Sequence, residues 1–273
     1  MTIEVTGSID EPKVLRARGF DGVVHGFTTR LGGVSRMPYA SLNLGSSVGD
    51  ADADVAKNHE IVATAAKFKV ADLSTPAKQV HGGEVRTVTA VTMNPGDCDA
   101  LTTGTPGVVV GIRVADCVPI LLWDPQVNAV AAVHAGWRGV VARIPFRAVV
   151  AMVERHQASP ARIRAAIGPA IGPCCYEVGP DVARQVTGVA EHTPRFQVIP
   201  TGGGIGVIDE VKMRVDLRAA TVSLLLDAGV EKNHIELVGG CTSCEGKLFF
   251  SHRRDKGTTG RHLAFVGARG TRR

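Results

Sequence analysis

The chain has 273 residues, 44% of them apolar, which is enough for a sizeable core in one large domain or two small ones. Aromatic residues make up only 4%, which argues against an aromatic-lined sugar groove or a base-stacking nucleic-acid platform. The net charge of +5 is modest and partly carried by the tail residues Arg269, Arg272 and Arg273, so it suits anionic small molecules rather than a nucleic acid. No apolar run approaches the roughly 18–20 residues that span a bilayer. The first residues, with Glu4, Asp10 and Glu11, lack signal-peptide character, and the expectation is a cytoplasmic protein with short flexible termini.

In chain order, Val23–Thr28 reads as a strand that runs into a Gly/Ser/Pro-rich segment, Thr29–Gly49. Asp54–Phe68 has helical spacing, with Val55, Ile61, Val62 and Ala65 as its apolar stripe. Val85–Val91 reads as a strand, and Gly107–Ala115 and Val118–Trp123 are apolar runs of strand length. Asp124-Pro125 turns the chain into a further strand, Asn128–Val133. Val140–His156 is expected as one long amphipathic helix that tolerates Pro145 in its first turns. Ile163–Ile167 is a buried strand, Val211–Ala228 a helix, and Ile235–Val238, Leu248–Ser251 and Leu263–Val266 short strands. Thr201–Gly206 is glycine-rich but lacks the Lys-Ser/Thr of a phosphate-binding loop, and reads as a plain loop. Alternating helices and strands, many strands apolar on both faces, predict a layered α/β sandwich of covered sheets in one domain over residues 1–273, its core from about 20 to 267.

Three residues stand out chemically: His81, Cys117 and His134. Each falls where a strand is expected to end, His81 before Gly82-Gly83, Cys117 between two apolar runs, and His134 before Ala135-Gly136. The flanking glycines let backbone or ligand come close to the imidazoles. Asp116-Cys117-Val118-Pro119 breaks the strand pattern at the sulfur. Two imidazoles and a thiolate make a three-ligand zinc set with a fourth position open to water or substrate, one zinc per chain. Asp99 and Asp116 are the carboxylates placed to move a proton, although each also suits a turn. Arg30, Arg138, Arg253 and Arg254 are the basic candidates, and Arg30 and Arg138 sit against glycine-rich turns, where a guanidinium fork can meet phosphate. The remaining histidines, His25, His59, His156, His192, His234, His252 and His262, read as structural or surface residues. The six cysteines should be reduced thiols. Cys241-Thr-Ser-Cys244 has no second pair at zinc-ribbon spacing, and reads as small residues in a loop before a strand.

These residues lie in ordered motifs: Thr-Thr-Arg-Leu-Gly-Gly-Val-Ser (28–35), Pro-Tyr-Ala-Ser-Leu-Asn-Leu-Gly (38–45), Gln-Val-His-Gly (79–82), Ala-Asp-Cys-Val-Pro-Ile-Leu (115–121) and His-Ala-Gly-Trp-Arg-Gly (134–139). Ile-Gly-Pro (167–169), Cys174-Cys175-Tyr176-Glu177-Val178-Gly179, Phe-Phe-Ser-His-Arg-Arg-Asp (249–255) and Thr259-Gly260-Arg261 follow. From about residue 20 to 267 the chain closely resembles the YfiH family, long labelled polyphenol oxidase or laccase-domain proteins. The resemblance implies an α/β sandwich of the YfiH type, and a zinc-dependent purine nucleoside enzyme acting by phosphorolysis of adenosine, inosine and methylthioadenosine and by deamination of adenosine. It implies zinc ligands at His81, Cys117 and His134. His252 stands where an aromatic is common in the family, and Cys98 and Cys175 are local variations. On this reading Arg30 is the first choice to hold phosphate, with Arg138 also on the substrate. Asn43 offers an amide to ribose or base, and Asp99 protonates N7 or a leaving group. Expected partners are purine nucleosides and inorganic phosphate, with no nucleic acid and no membrane. Three rival classes remain: a metal-free cysteine hydrolase that uses the same residues, with Cys117 as nucleophile and His134 as base, a copper-dependent polyphenol oxidase, and a non-catalytic or cell-wall precursor editing role.

Overall fold

A computed structural model describes residues 11–91, 95–189, 199–201 and 212–268. Its elements in chain order are β1 (Val14–Leu15), β2 (Val24–Thr28), α1 (Asp52–Ala66), β3 (Leu73–Ser74), β4 (Val85–Thr87), β5 (Ala100–Thr103) and β6 (Val109–Val114). β7 (Val118–Asp124), β8 (Ala129–Ala135), α2 (Trp137–Val141), α3 (Ile144–His156), β9 (Arg164–Ile167), β10 (Glu177–Val178) and α4 (Pro180–Thr187) follow. The chain continues with β11 (Ile199–Thr201), β12 (Lys212–Arg214), α5 (Leu217–Asp227), β13 (Ile235–Leu237) and β14 (His262–Gly267).

Two mixed sheets lie face to face. One has the order β1-β2-β14-β6-β3 and the other β13-β9-β7-β8-β5-β4. The period-2 alternation of a strand decides what each face buries. Along β7, Leu121 and Trp123 point into the space between the sheets, where they meet Phe27, Ile112, Val114 and Val266. Ile120 and Leu122 point the other way, onto Ala148, Val149 and Met152 of α3 and Leu224 of α5. Every residue of β7 and β8 is buried, which is why both strands read as unbroken apolar runs. The outer face of the first sheet is covered by Val62 and Ala66 of α1 with Leu42 and Leu44, packed on Val109, Leu263 and Phe265. The result is a layered α/β sandwich, helix on sheet on sheet on helix. Removing a fully buried leucine such as Leu121 from its centre costs about 2–5 kcal/mol.

Several elements differ from the sequence-based expectation. The long helix over 140–156 is two helices. Arg143 holds a left-handed backbone (φ 58) between α2 and α3, and Pro145 sits in the first turn of the second helix. There its missing N–H costs nothing, so proline starts the helix rather than interrupting it. The helix expected from Val211 begins only at Leu217, where Asp216 Oδ1 accepts the N–H groups of Arg218 and Ala219. Lys212–Arg214 is a strand instead, and Val211 lies outside the described residues. The segment Leu248–Ser251 is irregular, anchored by the buried Phe249 and Phe250 rather than by a ladder. The strand expected over Val85–Val91 stops at Thr87. Residues 202–206 of the glycine-rich run, His192 and the basic tail also lie outside the described residues.

Candidate metal centre

Strand register brings the three ligand candidates together. β5 and β8 pair antiparallel with Ala100 opposite Val133, so one step further Asp99 faces His134, and its carbonyl accepts the His134 N–H at 2.7 Å. β7 and β8 pair with Val118 opposite Ala135, which places Cys117 beside Gly136. His81 comes from the loop before β4, and Gln79 fixes that loop by exchanging two hydrogen bonds with the Arg113 backbone, at 2.7 and 2.8 Å. The ligand atoms of His81, Cys117 and His134 lie within 4.8 Å of one another. The two imidazoles meet edge-on with centroids 4.7 Å apart. A Cβ on Gly136 would stand 3.0 Å from His81 Cδ2 and 3.1 Å from Cys117 Sγ, so only glycine leaves the ligands their space. His81 and Asp116 hold left-handed backbones, φ 60 and 85, a conformation that costs residues with a Cβ about 1 kcal/mol and aims both ligand loops at the centre.

Asp99 is fully buried, and its carboxylate accepts Nδ1–H of His134 at 2.8 Å, the His81 N–H at 2.9 Å and the Gly82 N–H at 2.7 Å. Burial opposes its ionisation, but these bonds, that of His134 first, hold its carboxyl below the usual range. The contact puts the His134 proton on Nδ1 and leaves Nε2 as the donor atom. Burial also opposes ionisation of Cys117. The neighbouring His134 charge and hydrogen bond, with a hydrogen bond from His81, outweigh it and bring the thiol down to about 6. His134 is raised in turn, against its own burial, by the Cys117 charge and the Asp99 hydrogen bond. The pair titrates as a unit. Two oriented imidazoles and a readily ionised thiol form a donor set that fits a divalent ion of borderline softness.

The site floors a cavity of about 800 Å³. Arg138 lines it, its guanidinium 4.4 Å over the Trp137 ring, and so do Arg253, Arg261, Tyr176, Ile171 and His252. This arrangement leaves three of the expected site residues outside the cavity lining. Arg30 does not line the cavity: its Nε and Nη2 donate to the Ala40 carbonyl and its Nη1 to that of Gly246, at 2.7–3.0 Å, and it stacks on Phe250. Asn43 is fully buried and its amide is bonded to its own loop and to the Arg261 backbone. Its Nδ2 donates to Gly45 O and to Asp50, and its Oδ1 accepts the N–H groups of Gly45 and Arg261. Asp99 faces the ligands, not the cavity. Asp116 takes the turn role, its carboxylate accepting from Thr242 Oγ1 and the Arg253 N–H at 2.6 Å each. Sequence reasoning missed Arg261 and His252, although both lie in the motifs that carry the family resemblance.

The Cys241–Cys244 pair is not alone. Cys174 and Cys175 fold against it, and the four sulfurs lie within 4.8 Å of one another. The partner pair is an adjacent Cys-Cys far back in the chain, which no zinc-ribbon spacing reveals.

A family model described as "Multi-copper polyphenol oxidoreductase laccase" matches residues 24–269. The chain belongs to that laccase-domain family. It is 41% identical over 92% of both chains to "Purine nucleoside phosphorylase YlmD" of Geobacillus stearothermophilus. It is 35% identical, over 90% of this chain and 94% of the relative, to "Adenosine deaminase RL5" of an unknown prokaryotic organism. The crystal structure of YlmD from Geobacillus stearothermophilus superposes with a TM-score of 0.85 at 38% identity, covering 96% of this chain and all of that one. The expected YfiH-type fold is therefore observed, and both named relatives carry names of purine nucleoside enzymes. Among the described residues no helix is long and apolar enough to cross a membrane.

Proposed function

We propose that this laccase-domain protein is a zinc-dependent purine nucleoside enzyme, cleaving adenosine, inosine and methylthioadenosine with phosphate and deaminating adenosine in the cytoplasm. The observation that carries the reading is the set His81, Cys117 and His134 on the floor of a cavity rimmed by Arg138, Arg253 and Arg261. Relatives named for phosphorolysis and for adenosine deamination support it. His81, Cys117 and His134 would hold the zinc, which supplies Lewis acidity and lowers the pKa of water at its open position to about 7.

The chain's own residues supply the rest. Asp99 keeps the proton on His134 Nδ1 and is a positioning residue, not the acid that meets substrate. Arg261 and Arg138 replace Arg30 as the groups that hold phosphate, because a guanidinium fork binds it bidentately and these two reach the cavity. Asn43 positions Arg261 through the Arg261 N–H. Arg253 donates to the Glu177 carbonyl at 2.8 Å and packs on Tyr176, bracing the wall beside the nucleoside.

One observation favours a second reading. A Cys117 thiol brought down to about 6 beside His134 is also the pairing a metal-free cysteine hydrolase needs. Metal-analysed protein incubated with inosine, with and without phosphate, separates the two. Hypoxanthine and ribose 1-phosphate formed only with phosphate and about one zinc on this site are expected. Free ribose at the same rate without phosphate, from protein lacking metal, would reject the proposal.

A further inference from the structure

A second set of metal-capable side chains lies apart from His81, Cys117 and His134. The loop after β9 carries Cys174 and Cys175, and the loop after β13 carries Cys241 and Cys244. All four are free thiols. Cys244 Sγ is 3.5 Å from that of Cys174 and 3.4 Å from that of Cys175, and no pair among the four exceeds 4.8 Å. A disulfide needs one pair of sulfurs at about 2.05 Å. A tetrahedral ion with metal–sulfur bonds of about 2.3 Å needs four sulfurs with edges of about 3.8 Å, which is the scale seen here.

The backbone is arranged for a thiolate. The Gly172 N–H donates to Cys241 Sγ at 3.2 Å. A Cβ on Gly172 would stand 3.2 Å from Cys174 Sγ and 3.3 Å from Cys241 Cβ, so this turn is kept clear for the sulfurs. Cys241 is buried while Cys174 and Cys244 face solvent, so an ion can enter the finished fold. Four clustered thiolates repel one another unless a cation lies between them.

We propose that Cys174, Cys175, Cys241 and Cys244 form a structural four-thiolate zinc site, separate from the centre in the cavity. All four protein ligands are supplied, which leaves no open position and marks the site as structural rather than catalytic. It clamps the segment Ala170–Tyr176 to the segment Cys241–Cys244, which otherwise meet through the Ala170–Cys241 bridge and the Thr242 N–H to Ala170 carbonyl bond. Ile171 and Tyr176 on the first segment line the cavity, and Thr242 on the second donates to Asp116, next to Cys117. The clamp therefore holds one wall of the cavity against the ligand loop.

The test is metal analysis of the intact protein and of variants of both sites. Wild type is expected to hold two zinc ions per chain, and Cys117→Ala and Cys244→Ser one each, lost from different sites. Alkylation followed by mass spectrometry on the wild type keeps the test decisive if Cys244→Ser fails to fold. Cys174, Cys175, Cys241 and Cys244 should resist alkylation until a chelator is added. A disulfide among the four, iron in place of zinc, a zinc content unchanged in Cys244→Ser, or alkylation indifferent to chelator would each overturn the proposal. Two zinc ions retained in Cys117→Ala would instead reject the cavity centre while leaving the thiolate site standing.

Discussion

Asp99 Oδ1 accepts Nδ1–H of His134 at 2.8 Å, with both side chains sealed from solvent. The same carboxylate caps the backbone of His81 and Gly82, so one residue orients two ligands drawn from different segments. Asp99→Asn keeps the shape but removes the charge and one acceptor. Zinc affinity, measured by competition with a chelator, should fall about 10–100-fold, while circular dichroism stays native. An unchanged affinity would reduce Asp99 to a loop brace.

Gly136 separates His81 from Cys117. Gly136→Ala puts a methyl 3.0 Å from one ligand and 3.1 Å from the other, and neither can withdraw without leaving the centre. Overpacking of this kind costs about 1–3 kcal/mol. Because the methyl presses on the ligands and not on the core, the loss should appear as zinc binding weakened roughly tenfold or more, with little change in the melting temperature of the metal-free protein. A large drop in that melting temperature with affinity intact would show the strain has gone elsewhere.

Arg30 is bonded to backbone carbonyls away from the cavity, whereas Arg261 lines it. Arg30→Lys removes a fork that bonds the Ala40 and Gly246 carbonyls, so thermal stability and both nucleoside activities should fall together. If Arg261 holds phosphate as proposed, Arg261→Lys would keep a charge at the cavity but lose a bidentate contact worth roughly 1.5–3 kcal/mol. Phosphorolysis should therefore weaken about tenfold or more, while adenosine deamination, which consumes no phosphate, changes less. Assay of both reactions in both variants decides the matter, and the opposite pattern would return phosphate to Arg30.

That His81, Cys117 and His134 come together was legible in part because Cys117 immediately precedes the apolar run of β7, His134 lies at the end of that of β8, and Gly136 clears the space beside His81 and Cys117. Register was not legible. Only the pairing of Ala100 with Val133 brings Asp99 against His134. The split of the helix at Arg143 escaped because Pro145 is compatible with a first turn as well as with a tolerated interior site. The roles of Arg30 and Asn43 depend on carbonyls brought from Gly246 and a backbone N–H from Arg261, contacts more than two hundred residues apart in sequence. The cysteine cluster escaped for the same reason: the two loops that carry it meet only because β13 lies beside β9 in the sheet.

His262 gives the fold a dependence on pH that is separate from the metal. It is buried on β14, and its Nε2 accepts the Phe250 N–H at 2.8 Å, so it must stay neutral there. Burial, reinforced by the charges of Arg30 and Arg261, lowers it to about 3. The unfolded chain protonates this histidine near its ordinary value of about 6.5. Between those two values the unfolded state binds the extra proton. Stability is therefore full above about pH 6.5 and falls as pH drops, by up to about 1.4 kcal/mol per pH unit for this group. His262→Gln retains an acceptor for the Phe250 N–H without a titrating ring. Urea unfolding of both proteins at about pH 7 and about pH 5 should show a shallower loss in the variant, while the metal ligands contribute equally to each. Parallel losses would mean that His262 is protonated in the folded protein after all, and that the Phe250 bond is not what holds the ring neutral.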